Sequence, residues 1–307
     1  MIDPSPWREA WETALYGDNG FFRRQAPADH FRTSPNSSGL FAAAIWRLVQ
    51  AEDLHAVVDV GAGRGELLIE LDRLSGGGLS LTGVELADRP ADLPETIAWH
   101  HELPDRVEGL LIANEWLDNI PCDVVEADDA GVVHYLSVDP VTGEETVGDV
   151  CADPWLDLWW PLGAGERAEI GSARDRAWAD AVTRVEGIAL AIDYGHTAED
   201  RPLFGSLRSY RDGLEVGVVP DGSRDITAHV AVDSVAAAVG ATVTRQAEAL
   251  AALGVSGTRP PLDLAGSDPA AYIRALSDAA LSAELTARGG WGDFRWIRVD
   301  TRPSMKD

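Results

Sequence analysis

Residues 57–66 read Val-Val-Asp-Val-Gly-Ala-Gly-Arg-Gly-Glu, and the rest of the chain is organised around them. The apolar, β-branched run Ala56–Val60 predicts a buried parallel strand. Three glycines at alternate positions follow it, and leucines then recur over residues 67–74 with the spacing of one helix face. Because glycines let a backbone bend sharply and approach a ligand, this strand, turn and helix indicate a nucleotide-binding unit.

The glycine spacing distinguishes between possible ligands. A dinucleotide fingerprint, G-x-G-x-x-G, would place its third glycine where Glu66 stands. The pattern starting at Asp59, acidic-x-Gly-x-Gly-x-Gly, resembles the first motif of class I S-adenosylmethionine (SAM) methyltransferases. A pyrophosphate would be repelled by Glu66, whereas a cofactor without phosphate tolerates it. The motif therefore predicts a SAM site at Asp59, Gly61, Ala62, Gly63 and Gly65; a glycine turn in another α/β protein is the alternative.

The length allows one large α/β domain or two small ones, and the alternation of predicted strands and helices favours a single domain over residues 1–307. About 45% of the residues are hydrophobic, so a sizeable core can form. No apolar run reaches the ~18 residues of a membrane span, and residues 1–10 do not resemble a signal peptide. Cys122 and Cys151 have neither metal-ligand spacing nor a disulfide framework. We expect a cytoplasmic protein with no membrane partner and no metal.

The charge composition excludes several classes of protein. A net charge of −26 argues against a nucleic-acid partner and fits either a basic substrate or a need for solubility alone. Lys306 is the only lysine, so the chain lacks the lysine of a P-loop, of a kinase strand or of a buried Schiff base. No G-x-S-x-G elbow is present, which disfavours an α/β-hydrolase.

The remaining periodicity predicts a doubly wound, mostly parallel sheet of seven strands with helices on both faces. The other strands are expected at residues 79–85, 96–101, 107–113, 187–192, 241–246 and 294–299. The helices are expected at residues 7–16, 40–51, 173–185, 232–239 and 269–288, with Ser37 or Ser38 capping the second. Residues 122–138 predict an inserted hairpin, 250–290 a mainly helical insertion, and 197–228 an irregular loop.

Polar residues at two strand ends are candidates for ligand contacts. Glu85 ends the second predicted strand about twenty residues past the glycine loop, where Rossmann-type folds place a carboxylate on ribose hydroxyls. Asn114 and Glu115 follow a central strand, at the edge where open α/β sheets bind ligands. Glu85 could instead be a surface residue, and Glu115 could be a helix-start carboxylate that only complements the helix dipole.

Several short blocks together resemble the MidA-like methyltransferases, the family of the mitochondrial complex I assembly methyltransferase. Their order and spacing span almost the whole chain. The blocks are Phe31 with Thr33-Ser34-Pro35 and Leu40-Phe41, the glycine loop 61–65, Asn114-Glu115 with Asp118 and Pro121, Asp193-Tyr194-Gly195, Gly205 with Leu207-Arg208 and Tyr210, residues 225–230, Gln246, Leu253-Gly254, and Gly292 with Phe294. Three departures stand out: Asn36 and Ala231 replace acidic residues of the family, and the segment after Glu85 is short enough to have lost a helix.

This resemblance implies a Rossmann-like SAM methyltransferase whose residues 1–50 form a helical segment over the cofactor. Thr33 and Ser34 would close over the cofactor, and Asn114 would contact the cofactor or the substrate. The family includes a protein arginine methyltransferase, so the implied acceptor is a protein side chain.

Glu115, Asp118 and Asp193 are the carboxylates expected to orient and deprotonate a cationic nucleophile. A non-catalytic assembly or binding protein that keeps the SAM fold, and an NAD-dependent oxidoreductase, stay open as alternatives, as does the oligomeric state.

Overall fold

The structure is a computed structural model that describes residues 4–24 and 38–303. The described helices are α1 (Trp7–Tyr16), α2 (Phe21–Arg24), α3 (Gly39–Ala51), α4 (Glu66–Ser75), α5 (Pro154–Trp159), α6 (Ser172–Thr183), α7 (Val232–Val239), α8 (Gln246–Ala252), α9 (Leu262–Ser267) and α10 (Pro269–Leu285). The described strands are β1 (Ser5–Pro6), β2 (Ala56–Val60), β3 (Ser80–Val84), β4 (Ile97–His100), β5 (Val107–Asn114), β6 (Asp123–Ala127), β7 (Val133–Val138), β8 (Glu145–Val150), β9 (Arg167–Ile170), β10 (Val185–Asp193), β11 (Gly195–His196), β12 (Arg208–Arg211), β13 (Leu214–Val216), β14 (Asp225–Thr227), β15 (Val230–Ala231), β16 (Thr242–Arg245) and β17 (Arg295–Asp300).

The central sheet carries the site. Within the described residues it has seven strands in the order β16-β17-β10-β5-β2-β3-β4. Strands β10, β5, β2, β3 and β4 run parallel. Strand β17 is antiparallel to both of its neighbours, β10 and β16. From β2 the chain adds β3 and β4 on one side, and it then crosses to add β5 and β10 on the other side. Open α/β sheets bind ligands at such a switch point, outside the carboxyl ends of the strands.

Both faces of this sheet are covered, because successive residues of its central strands point to opposite sides. On β5, Leu110 and Ile112 pack with α3 and α4, whereas Leu111 and Ala113 pack with α6 and α7. The alternation explains why these strands are nearly continuous apolar runs. The predicted α/β class with helices on both faces is confirmed.

Local signals place the helix ends next to the site. Ser38 caps α3, where its side chain accepts a hydrogen bond from the amide of Phe41 at 3.3 Å. Helix α4 begins after Gly65, which has a left-handed φ of 81°, and it ends at Gly76, also left-handed. The predicted strand 56–60 and helix 7–16 have the same bounds in the structure.

A second sheet lies beside the first and supports the amino-terminal helix. Strands β1, β7, β6 and β9 pair in that order, and β8 also pairs with β7. The predicted hairpin of residues 122–138 is thus part of a larger antiparallel sheet. Helix α1 packs against this sheet and against Ile226 through the buried side chains of Trp7, Trp11 and Leu15.

The expectation of an irregular loop over residues 197–228 was partly wrong, because β12 pairs there with both β13 and β14 in a small antiparallel sheet. Residues 197–207 and 217–224 contain no helix and no extended strand. Strand β8 and helix α5 were not predicted. All six residues of β8 are exposed, so that strand lacks the apolar alternation from which a strand is recognised.

The segment after Glu85 contains no helix, and residues 86–96 run as turns and bends. Among the described residues, no helix combines the length and the apolar character needed to cross a membrane.

Candidate active site

Four neighbouring strands bring the predicted site residues to one edge. The register pairs Asn114 with Ile192, Ala113 with Val60, and Val60 with Val84, so β10, β5, β2 and β3 end at the same level. The residues that follow these strands therefore meet at one end of the sheet. A cavity of about 600 Å³ lies there, within the range of small-molecule and cofactor sites.

The glycine loop forms one wall of this cavity. Gly61, Gly63 and Gly65 all have left-handed φ angles, of 71°, 58° and 81°. A Cβ on Gly65 would lie 2.7 Å from Cδ1 of Leu93, so this glycine is required by packing as well as by its conformation. A Cβ on Gly63 would meet no described atom closer than 3.7 Å, and Gly61, Ala62 and Gly63 line the cavity. The space beside Gly63 is thus open to the cavity.

Glu85 lies against that loop and lines the cavity. Its Oε2 accepts a hydrogen bond from the amide of Gly63 at 3.0 Å, and its Oε1 accepts one from the amide of Leu86 at 2.7 Å. Burial raises the pKa of this carboxyl, and the backbone amides that it accepts from oppose the shift. Glu85 therefore orders the glycine loop while it faces the cavity.

Asp59 is the penultimate residue of β2, lines the cavity and is only 5% exposed. Burial, and then the nearby carboxylates of Glu66 and Glu85, raise its pKa to about 8. A buried carboxyl with such neighbours gains from a cation brought into contact with it. Its position suits a ligand that carries a positive charge.

Asn114 and Glu115 lie together in the cavity, although neighbours on a strand ordinarily face opposite ways. Glu115 has a left-handed φ of 53°, which is uncommon for a residue other than glycine. The turn that results brings the side-chain amide of Asn114 within 3.3 Å of Oε1 of Glu115, to which it donates. The amide of Glu115 donates to the carbonyl of Ile192 at 2.8 Å and fixes the turn to β10.

Asp118 lines the cavity in the loop after β5 and is 4% exposed. Its Oδ2 accepts from the hydroxyl of Tyr194 and, at 2.6 Å, from that of Thr227. Its Oδ1 is buried and has no hydrogen-bond partner among the described residues. Burial raises the pKa of Asp118, while the two hydroxyls and the charge of Arg174 lower it. One oxygen of this carboxyl is thus held by the protein and the other is not.

The environment of the Asp193 carboxylate differs from those of Glu115 and Asp118. Its Oδ2 accepts from the amides of Leu117 at 3.0 Å and Asp118 at 3.2 Å, and its Oδ1 accepts from the amide of Tyr194 at 3.0 Å. Burial, followed by the charges of Asp118 and Glu115, raises its pKa well above the ordinary value. These bonds hold the loop that carries Asp118, and the catalytic role expected of Asp193 stays a prediction.

Several residues that complete the site were given no role from the sequence. Arg174 on α6 is 1% exposed and donates to the carbonyls of Asp118 at 2.7 Å, His229 at 2.8 Å and Ile120 at 3.2 Å. No local motif marks this arginine. Six polar residues without a predicted role also line the cavity: Tyr16, Asn119, Tyr194, Tyr210, Asp225 and Thr227. Four of these six, Tyr194, Tyr210, Asp225 and Thr227, lie in blocks that carried the family resemblance, which was the available signal.

Thr33 and Ser34, expected to close over the cofactor, lie outside the described residues. Their role stays a prediction.

The cavity fits a cofactor that is cationic and carries no phosphate. Asp59, Glu85 and Glu115 give it acidic walls, and the glycine loop leaves open space at Gly63. The amide of Gly63, which a phosphate-binding loop would offer to its anion, is already bonded to Glu85. These features match SAM better than a nicotinamide dinucleotide.

Comparison with known proteins agrees with this assignment. A family model described as "Putative S-adenosyl-L-methionine-dependent methyltransferase" matches residues 81–249, more than half of the chain. No curated protein matches the sequence.

Two solved structures from Burkholderia thailandensis have a similar fold. One is an uncharacterised protein with 24% identity and a TM-score of 0.76, covering 96% of this chain and 87% of its own. The other is described as a "likely methyl transferase" bound to S-adenosylhomocysteine, with 25% identity, a TM-score of 0.76 and the same coverage.

The cavity at the carboxyl edge, the glycine loop and the family match lead to one assignment. The chain belongs to this family of SAM-dependent methyltransferases, and it is an enzyme whose methyl donor is SAM.

Proposed function

We propose that this enzyme is MidA-like and methylates the guanidinium group of an arginine side chain in a protein. The observation that carries the proposal is the pairing of Glu115 and Asp118 in the cavity, beside the glycine loop. Two carboxylates at the acceptor side suit a cationic nucleophile, and a carboxylate can hold a guanidinium through two parallel hydrogen bonds. The strongly acidic chain would also attract a basic protein substrate.

Individual residues have distinct proposed roles toward the cofactor. Gly61, Ala62 and Gly63 leave room for its methionine part, and Asp59 lies where its ammonium group would be neutralised. Glu85 accepts hydrogen bonds from the ribose hydroxyls, and Asn114 helps to fix the cofactor beside Glu115. Thr33 and Ser34, from the amino-terminal segment, cover the bound cofactor.

The chemistry asks little of the protein beyond position and charge. When bound, SAM supplies a methyl group on a positively charged sulfur, ready for in-line displacement. Glu115 would orient the guanidinium, and its carboxylate would accept the proton which the attacking nitrogen loses. The new N–C bond would form as the S–C bond to the methyl group breaks, with S-adenosylhomocysteine as the leaving group. Asn114 donates to Glu115 and limits the rotation of its carboxylate. Asp193 keeps the loop that carries Asp118 in place by accepting from three backbone amides.

Transfer of labelled methyl from SAM into arginine-containing proteins tests the proposal. We expect label in methylarginine after hydrolysis of the modified protein. Label confined to methyllysine, to another residue or to a small molecule would overturn the arginine assignment.

The variant Glu115→Gln tests the role of the carboxylate. It keeps the side-chain size and loses the charge, so turnover should fall by roughly 100-fold or more while S-adenosylhomocysteine still binds normally. Glu108→Gln is the matched control, because Glu108 is an exposed residue of the same strand β5. Wild-type turnover of Glu115→Gln would show that Glu115 only shapes the turn.

A further inference from the structure

One end of the cavity is enclosed by three tyrosines from separate parts of the chain. Tyr16 ends α1, Tyr194 follows β10, and Tyr210 lies on β12. Tyr194 donates to Asp118, Tyr210 pairs across strands with Asp225, and Tyr16 donates to the carbonyl of Asn119. All three tyrosines therefore lie close to the loop after β5 or to β14.

Two buried aspartates lie among these tyrosines. Asp118 presents one carboxylate oxygen to Tyr194 and Thr227, and its Oδ1 has no partner among the described residues. Asp225 is 7% exposed and lines the same cavity. A buried oxygen without a donor destabilises the protein, and a ligand that donates to it would recover that free energy.

The position of Asp225 is fixed by long-range contacts. It pairs directly with Tyr210 across the antiparallel strands β14 and β12, so the two side chains lie on the same face of that small sheet. Its Oδ1 accepts from the side-chain amide of Asn119 at 2.9 Å. The carbonyl of Asn119 in turn accepts from the hydroxyl of Tyr16 at 3.1 Å. The amino-terminal helix, the β5 loop and β14 are thereby linked around this end of the cavity.

This combination of groups matches the chemistry of one class of ligand. Tyrosine rings attract a cation through their faces, and a planar guanidinium can stack on them as well. Burial and the neighbouring charge of Asp118 raise the pKa of Asp225 to about 8, and a cation placed between the two carboxyls would favour their charged forms. The charge of Arg174 acts on Asp118, but the side-chain hydrogen bonds of this arginine to the described residues all go to backbone carbonyls.

We infer that Asp118 and Asp225, enclosed by Tyr16, Tyr194 and Tyr210, form the subsite that receives the cationic side chain of the methyl acceptor. The identification of that side chain as arginine rests on the proposed function; the requirement for a positive charge does not. Oδ1 of Asp118 accepts a hydrogen bond from the side chain of the methyl acceptor. The carboxylate of Asp225, on β14, neutralises the positive charge of that side chain. Helix α1 is then part of the acceptor site through Tyr16.

Binding of blocked amino acids tests this inference without requiring turnover. Calorimetry with the full-length protein, saturated with S-adenosylhomocysteine, would compare N-acetyl-arginine methylamide with the citrulline compound, its neutral isostere. The lysine compound is the third probe. We expect the arginine compound to bind at least about tenfold more tightly than the citrulline compound, as for a charge-assisted contact.

The variant Asp225→Asn should reduce this preference to about threefold or less, with an unchanged affinity for S-adenosylhomocysteine. Asp221→Asn is the matched control, because Asp221 is exposed, lies four residues away and makes its ion pair with Arg224. The preference for arginine should persist in this control.

The outcomes separate the subsite from the proposed acceptor. Equal affinity for the arginine and citrulline compounds, undetectable binding of every cationic probe, or full preference in Asp225→Asn would overturn the subsite. Tight binding of the lysine compound alone, lost in Asp225→Asn, would support the subsite and overturn arginine as the acceptor.

Discussion

At the residue scale, the carboxylates of the cavity differ in what holds them. Glu85 accepts from the glycine loop, Asp118 from two hydroxyls, and Asp193 from three backbone amides. An ionised carboxylate has about four acceptor sites, so Glu85 can hold the glycine loop and still accept from a ligand, and the unpartnered Oδ1 of Asp118 can do so as well. Acidic side chains that follow or end three different strands therefore serve different purposes at one edge of the sheet.

Replacing Glu85 by alanine should weaken binding of S-adenosylhomocysteine by roughly 1–3 kcal/mol, the scale of charge-assisted hydrogen bonds. The loss has two sources: the proposed ribose contact disappears, and the amide of Gly63 loses its acceptor. Calorimetry gives the dissociation constant, and Glu95→Ala, an exposed change nearby, should leave it unaltered. An unchanged constant in folded Glu85→Ala would remove the proposed ribose role.

The raised pKa of Asp59 predicts a pH dependence of stability. Since burial raises this pKa to about 8 from an ordinary value near 4, the folded protein binds more protons than the unfolded chain between these values. Asp59 therefore lowers the free energy of unfolding of the ligand-free protein as pH rises through this window, by at most about 1.4 kcal/mol per pH unit.

The isosteric variant Asp59→Asn has no carboxyl at this position to ionise, so its free energy of unfolding should fall less steeply as pH rises. Urea denaturation at several pH values between 5 and 8 measures it. Parallel slopes in the two proteins would show that Asp59 is ionised throughout the range.

At the element scale, the glycine loop must pack against the protein and leave space in the cavity, and a different glycine meets each requirement. Gly65 starts helix α4 with a left-handed φ and touches Leu93, whereas Gly63 faces the cavity. Either glycine replaced by alanine incurs roughly 1–2 kcal/mol for the left-handed conformation. Packing adds to that cost only at Gly65.

We therefore expect Gly65→Ala to lower the free energy of unfolding more than Gly63→Ala, because a Cβ there displaces the buried Leu93. Gly63→Ala should have the larger effect on affinity for S-adenosylhomocysteine, since its Cβ enters the ligand space. Denaturation and calorimetry on both variants test the contrast. The reverse order of effects would place the ligand away from Gly63.

At the scale of the whole molecule, the amino-terminal helix links the second sheet to the site. Trp11 of α1 is fully buried, donates from its indole nitrogen to the carbonyl of Ile226 at 3.1 Å, and lies 5.8 Å from the guanidinium carbon of Arg174. Ile226 separates Asp225 from Thr227 on β14. Packing of α1 is therefore coupled to two residues of the cavity.

The variant Trp11→Ala should lower the free energy of unfolding by about 3–5 kcal/mol, the usual cost of a large buried cavity. Glu12→Ala, an exposed change on the same helix, should alter it by less than about 0.5 kcal/mol. Urea denaturation measures both values. A small effect of Trp11→Ala would mean that α1 packs only loosely on the rest of the protein.

The strand, glycine turn and helix around residues 56–75 were predictable because their signals are local. Apolar periodicity, glycine spacing and an acidic residue at a strand end are properties of neighbouring residues. Strand β2, the start of α4 and the position of Glu85 follow from them, as does the expectation of SAM. The sequence by itself thus determined the fold class and the cofactor.

Only the tertiary structure decided how the acceptor end of the cavity is assembled. Tyr194 and Thr227 reach Asp118 across 76 and 109 residues of chain, and no local pattern specifies such pairs. The left-handed φ of Glu115 likewise depends on its bond to β10, since the turn would otherwise follow the strand alternation. Long-range strand pairing and buried hydrogen bonds fix these positions, and they exist only once the sheets have packed together.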